Sequence, residues 1–370
     1  MFDSSIGGQH NLCAGPPRGW QTQSINAGGS MASKSGDETG AWMTAAPGQP
    51  LTPGRATLKA LGPMDVELEV IACGLCHSDL HLVNDDWGIS EYPLVPGHEV
   101  VGRIVAAGKE VSDLAVGQRV GVGWLCGACL DCRSCNAGED NLCGEPNRTC
   151  VANVGGFASR IRVDSRFSHP IPRGLGDLQA APLLCAGVTV YSPLKRLLPR
   201  AGRDVGVVGI GGLGHLAVQY ASRMGHRVTA IVRGPGREKD ARNLGAQFYL
   251  DNTDGGQTAA AEAAFDLLLV TVSADLDWSV YMRLLKPNGT LCLVGMPAAT
   301  ITVETDNFVG EQKILTGSSI GSREMTRETL DYSAANEVYP WVVQMPMDQV
   351  NEALKILADG EARYRIVLTA

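Results

Sequence analysis

The sequence predicts an α/β protein of two units, a small β-rich, barrel-like domain and a doubly wound parallel sheet. Three observations carry that expectation. Residues 93–123 hold short valine-rich runs broken by glycines, as a tightly turned β unit requires. After about residue 185, apolar strands alternate with stretches of helical periodicity, the pattern of a parallel sheet with helices on its faces. Between the first of those strands and its helix stands Gly209-Ile210-Gly211-Gly212-Leu213-Gly214, a G-x-G-x-x-G turn.

Taken in order, residues 1–40 lack hydrophobic periodicity and are rich in Gly, Ser, Gln and Pro, so they are expected to be a disordered extension. Met31 and Met43 are both candidate start sites. Val66-Glu67-Leu68-Glu69-Val70-Ile71 alternates with period two, as a strand with one buried face should. In the second half, strands are expected at 205–208, 228–232, 265–272 and 291–294, with helices at 213–223 and 237–244. Lys286-Pro287-Asn288-Gly289 reads as the turn before the last of these strands. No internal repeat is evident.

A chain of 370 residues can bury a large core, and two domains are expected. The net charge of −8 argues against nucleic acid or an anionic membrane as a partner. No apolar run reaches the length of a transmembrane helix, and the N-terminus lacks the features of a signal peptide. The 11 cysteines, an odd number clustered at metal-binding spacing, point to a reducing compartment, with cytoplasm the default.

Cys129-x2-Cys132-x2-Cys135-x7-Cys143 concentrates thiolates at a density suited to one soft, tetrahedral ion. Disulfides at i, i+3, i+6 would be strained, so a closed structural zinc site is the stronger reading than scattered buried thiols. A set shifted to begin at Cys126 is imaginable. In the glycine-rich turn, Gly209 permits the tight bend, Gly211 lets a pyrophosphate approach, and Gly214 lets helix and strand pack closely. The following strand ends at Val232 with no carboxylate before Glu238 to hold a ribose 2′-hydroxyl. Arg233 and Arg237 can instead offer charge-assisted bonds to a 2′-phosphate, which favours NADP(H) over NAD(H).

Three more segments carry metal-ligand chemistry: Cys73-Gly74-Leu75-Cys76-His77-Ser78-Asp79-Leu80-His81, Gly97-His98-Glu99, and Leu184-Cys185-Ala186-Gly187-Val188-Thr189. Two cysteines and a histidine with a fourth position left open is a catalytic zinc arrangement. Together with the four-cysteine lobe and the glycine turn, these segments closely resemble the zinc-dependent medium-chain alcohol dehydrogenases. Within them the chain is most similar to the cinnamyl-alcohol-dehydrogenase type of NADP-dependent aldehyde reductase. The resemblance runs from about residue 45 to the C-terminus.

The resemblance implies a GroES-like catalytic domain with a structural zinc lobe over 41–185, a Rossmann domain over 186–318, and a return to the catalytic domain over 319–370. It implies two zinc ions per chain, one held by Cys76, His98 and Cys185, the other by Cys129, Cys132, Cys135 and Cys143. Glu99 becomes a carboxylate near the catalytic metal, and Asp79 the partner of the far nitrogen of His98. Ser78 and His81 become a proton relay, with the cofactor ribose between them. His77, Thr189, Gly209, Gly211, Gly212, Leu213, Gly214, Ser318 and Ile320 join Arg233 and Arg237 as cofactor contacts. Trp87 and Trp124 are candidates to line a pocket for aryl or allylic substrates. Cys13, Cys73, Cys126, Cys150 and Cys292 are left without a role. The implied activity is hydride transfer between NADP(H) and a small alcohol or aldehyde in a homodimer. An NAD-dependent polyol or secondary-alcohol dehydrogenase is the alternative, and a zinc-binding relative without catalysis the more distant one.

Overall fold

Strands that are apolar on both faces need cover on both sides, and a parallel sheet between helix layers supplies it. The computed structural model, which describes residues 37–369, contains such a six-stranded sheet. In spatial order its strands are Phe248–Asp251, Arg227–Val232, Asp204–Val208, Phe265–Val270, Leu285–Leu293 and Ile314–Gly317, all parallel. This is the doubly wound order in which ligands bind beyond the carboxyl ends of the strands. Val205 and Val207 pack into one core with the helices Val188–Leu197 and Gly214–Arg223. Val208, Ile231 and Leu268 face the opposite core with Trp278 and Met282.

The second sheet runs Val342–Pro346, Arg365–Thr369, Asp65–Leu75, Glu99–Ala107, Arg119–Val122 and His169–Pro170, with Arg160–Asp164 also paired to Asp65–Leu75. The C-terminal strand is decisive for the site. Ile366 lies opposite Leu75 and Thr369 opposite Ala72, so the end of the chain sits beside the segment carrying Cys76.

Three expectations need correction. The first strand, Glu38–Met43, begins inside the stretch set aside as an extension, because Thr39 and Ala41 are buried against the strand Thr52–Thr57 and the segment at Ala158. Residues 1–36 lie outside the described residues, and Cys13 with them. Glu67 is not on a solvent face: it is 4% exposed and ion-paired to Arg160 and Arg162 of the adjoining strand at 2.6 Å each. Lys286–Gly289 does not precede a strand but forms an irregularity within Leu285–Leu293, where the register shifts and Asn288 takes φ +62°. No helix among the described residues is long and apolar enough to cross a membrane.

Candidate active site and metal centres

Cys76 stands where the strand Asp65–Leu75 gives way to the helix His77–Asn84, as the N-cap of that helix. Asp79, fully buried, accepts the Cys76 backbone N–H at 2.9 Å, the Gly97 N–H at 3.0 Å, and pairs with His98 Nδ1 at 3.0 Å. One carboxylate therefore fixes both the cysteine and the histidine, leaving His98 Nε2 to face the sulfurs. Cys185 arrives from across the fold on Leu183–Gly187, a single π-helical turn between the helices Asp177–Pro182 and Val188–Leu197. Such turns break helical phase and re-aim a side chain.

Ligand atoms of Cys76, His98, Glu99 and Cys185 all lie within 4.8 Å of one another. His98 Nε2 and Glu99 Oε2 are buried with no hydrogen-bond partner among the described residues, a costly state unless a ligand completes them. Burial opposes a charged His98 ring, but the Asp79 carboxylate and the Cys185 sulfur outweigh it and push the ring well above its ordinary value. Such a field favours a cation, and the two soft sulfurs with one imidazole suit zinc.

Glu99 lies across from Gly74 in the sheet, and a Cβ at Gly74 would come within 2.0 Å of Glu99 Oε2. Burial pushes Glu99 up to about 7 even though Arg365 Nη2 donates to its Oε1. Ser78 Oγ lies 3.7 Å from Cys76 Sγ. His81 sits near the surface, its Nδ1 2.7 Å from Asp86 Oδ2 and its ring 5.0 Å from Trp87. Trp124 stands edge-on to His98 at 5.0 Å and to Trp87 at 6.0 Å, so both tryptophans belong to the neighbourhood of the cluster.

The four cysteines of the lobe also converge within 4.8 Å. Sγ–Sγ separations are 3.4 Å for Cys129–Cys143, 3.9 Å for Cys129–Cys135 and 4.0 Å for Cys132–Cys143. A tetrahedron with zinc–sulfur bonds of about 2.3 Å needs sulfurs about 3.8 Å apart, so the donors fit. Backbone and thiol hydrogen bonds, those of Cys135 foremost, hold Cys132 down to about 6. Cys126 stands outside this group, buried and bonded to the Asn147 carbonyl, which removes the shifted set.

In the glycine turn, Gly209 takes φ +87°, and a Cβ at Gly214 would meet the Gly209 carbonyl at 1.9 Å. At Gly211 the corresponding space is open, as a cradle for phosphate would be. Arg237 Nη1 donates to the Ile210 carbonyl at 3.0 Å and its guanidinium lies over Tyr364, which keeps it beside the turn. Arg233 is exposed. Asp251, from the next strand, does reach this loop, but its Oδ1 accepts from Gly234, the Thr253 backbone and the Thr253 hydroxyl. Ser318 and Ile320 leave the carboxyl end of Ile314–Gly317, Thr189 lies buried in its helix, and His77 is exposed beside Cys76.

Comparison with known proteins agrees with this arrangement. Residues 62–173 match the alcohol dehydrogenase GroES-like domain and residues 212–335 the zinc-binding dehydrogenase model. An aldehyde reductase of Synechocystis is 41% identical over 310 residues, spanning 84% of this chain and 92% of that protein. The chain belongs to the zinc-dependent alcohol dehydrogenase family. A cinnamyl alcohol dehydrogenase of Sorghum bicolor superposes on this dehydrogenase with a TM-score of 0.86 at 35% identity, covering 90% of this chain and 98% of the other. A cinnamyl alcohol dehydrogenase of Helicobacter pylori, solved with NADP(H), gives 0.82 at 30% identity, with 90% and 98% covered. It is thus an oxidoreductase built from a GroES-like domain and a Rossmann-type sheet.

Several residues of the dehydrogenase's site escaped sequence reasoning. Arg365, 4% exposed, touches Glu99 on one side and lies where a Gly212 Cβ would meet its Nη1 at 3.0 Å on the other, so it links the metal cluster to the nucleotide turn. Nothing local in the sequence marks it. Asp86 was detectable as a carboxylate one turn beyond His81. Cys150, set aside as a buried thiol, lies within 4.8 Å of the Asp79 and His98 ligand atoms and also borders a cavity of about 540 Å³. That cavity is lined by Arg55, Tyr92 and Arg162, away from the glycine turn.

Proposed function

We propose that this dehydrogenase interconverts aryl or allylic aldehydes and their primary alcohols using NADP(H). Zinc would be held by Cys76, His98 and Cys185, and a second, structural zinc by Cys129, Cys132, Cys135 and Cys143. The observation that carries the reading is the buried cluster of two sulfurs, an orphaned imidazole nitrogen and an orphaned carboxylate oxygen beside a dinucleotide turn. Zinc bound there supplies Lewis acidity to a substrate oxygen. Asp79 holds His98 in the tautomer that presents Nε2, and Glu99 offers a carboxylate close to the same position. Ser78 exchanges the proton of the reacting oxygen, and His81, half-buried and steadied by Asp86, passes it to solvent. Trp87 and Trp124, set edge to face at 6.0 Å, make an aromatic corner beside His98 suited to a conjugated substrate. Gly209 to Gly214, with His77, Thr189, Ser318 and Ile320, bind the dinucleotide, and Arg233 and Arg237 its 2′-phosphate.

The first test is the efficiency of cinnamaldehyde reduction with NADPH and with NADH. A preference for NADPH of about tenfold or more is expected from one or two charge-assisted bonds. A preference for NADH would reduce both arginines to surface charges and shift the search to polyols and secondary alcohols. In the same assay Ser78→Ala should lower kcat by about 10²-fold or more with zinc content unchanged; wild-type turnover would remove Ser78 from the relay.

A homodimer is supported by the outer strand Ile314–Gly317, which pairs on one side only among the described residues and begins at exposed Ile314, with Val309 and Phe308 exposed just before it. Light scattering should give twice the chain mass, and a monomer at micromolar concentration would refute it. The thiol-rich metal sites suit a reducing compartment, and the cytoplasm is the proposed location, to be checked by fractionation.

A further inference from the structure

The four-cysteine lobe reaches beyond its own fold. Its short 3-10 turn Asp140–Leu142, between Cys135 and Cys143, makes three hydrogen bonds with a segment about 180 residues away in sequence. Asn141 Nδ2 donates to the Ser319 carbonyl at 2.8 Å. Asp140, 2% exposed, accepts the Arg323 backbone N–H on Oδ2 at 3.1 Å and Arg323 Nε on Oδ1 at 3.3 Å. Arg323 is the first residue of the helix Arg323–Asn336, so Asp140 satisfies a helix N-terminal amide from outside, where negative charge is favoured. Its guanidinium is further fixed over the Phe167 ring at 5.1 Å.

These two anchors bracket Ile320 and Gly321. Ile320 is β-branched yet takes φ +38°, a conformation that persists only when its surroundings impose it. Gly321 is pressed against the helix carrying Thr189: a Cβ there would meet Val188 Cγ2 at 2.5 Å. Ile320, Gly321 and Asp140 share one small cavity with Trp124 and Leu184, the neighbour of Cys185. Lobe, loop and metal-bearing turn thus meet at one place.

We propose that Asp140 and Asn141 are positioning residues through which the four-cysteine lobe holds the loop 318–322 in its cofactor-binding shape. The inference rests on the reading above that Ser318 and Ile320 face the dinucleotide. The lobe then has a task besides stability: it sets the affinity for NADPH through the Ser319 carbonyl and the Arg323 amide. Asn141 is not among the four sulfur donors, and it acts through the backbone it holds.

The test compares Asn141→Ala, Asp140→Asn, Ile320→Ala and the Asn141→Ala/Ile320→Ala double variant of the zinc-loaded enzyme. NADPH dissociation constants are read from nicotinamide fluorescence, with zinc content, KM and kcat measured alongside. Asn141→Ala should weaken NADPH binding about two- to tenfold, the effect of one lost hydrogen bond. KM should move more than kcat, two zinc ions should remain, and the double variant should show less than the combined effect because both changes act on one loop. If Asp140→Asn also loses zinc, Asn141→Ala alone decides. Should Ile320→Ala leave NADPH affinity at the wild-type value, the cofactor-facing reading of the loop falls, and this proposal with it. Should Ile320→Ala weaken binding while Asn141→Ala does not, or should the two effects simply add, the lobe is not positioning the loop and only this inference fails.

Discussion

Cys185→Ser is expected to cost one of two zinc ions per chain and to lower kcat for aldehyde reduction by about 10³-fold or more. The magnitude follows from the several kcal/mol by which a metal stabilises charge developing on a substrate oxygen. Serine is nearly isosteric, but its hydroxyl stays protonated where a thiol ionises, and oxygen is a poor match for a site built from soft donors. Glu99 offers a carboxylate oxygen within 4.8 Å of the other donors, but as a hard oxygen on a carboxylate already bonded to Arg365 it replaces a thiolate poorly. The four lobe cysteines form a separate cluster, so the second zinc and most of the thermal stability should survive. Metal analysis and steady-state kinetics decide the matter. Two zinc ions and wild-type turnover in the serine variant would show that Cys185 is only a buried thiol.

Gly214→Ala is the second large effect, and it separates packing from ligand binding. The added methyl would lie 1.9 Å from the Gly209 carbonyl oxygen and 3.0 Å from Thr271 Oγ1. The first of these is backbone, so no side-chain rotation relieves the clash. The helix Gly214–Arg223 must move off the strand Asp204–Val208, at a cost of about 1–3 kcal/mol for overpacking of this kind. Both the melting temperature and NADPH affinity should fall. Gly211→Ala is the contrast: nothing lies within 4 Å of its added methyl, so stability should hold while NADPH binding weakens. Thermal melts and fluorescence titration of the two variants test this. If Gly214→Ala melts with the wild type and binds NADPH normally, the turn is not packed as described.

What could be read in advance depended on how far apart the cooperating residues stand. The lobe spacing, the G-x-G-x-x-G turn and the Cys76 to His81 segment each place their chemistry within a few consecutive residues, where spacing alone restricts geometry. His98 and Cys185 became a site only through resemblance, because nothing local ties them together. Two local readings failed for a shared reason. Glu67 alternates like a solvent-facing residue but is buried by arginines on a strand that follows it by more than ninety positions. Lys286–Gly289 has turn composition, yet pairing on both sides draws it into a strand.

The sequence by itself determined the fold class, the four-cysteine cluster and the nucleotide turn. Each is written in residue type and short-range spacing, which survive without knowledge of the partner segments. Only the tertiary structure decided how those parts are joined. Arg365 meets Glu99 across 266 positions because the C-terminal strand inserts beside Asp65–Leu75. Cys126 is excluded from the lobe by its bond to Asn147, Cys185 is turned inward by one π-helical turn, and Asn141 reaches Ser319 across 178 positions. Side-chain contacts between segments that distant depend on strand register and helix phase, and those are fixed by packing, which a reading of neighbours along the chain does not contain.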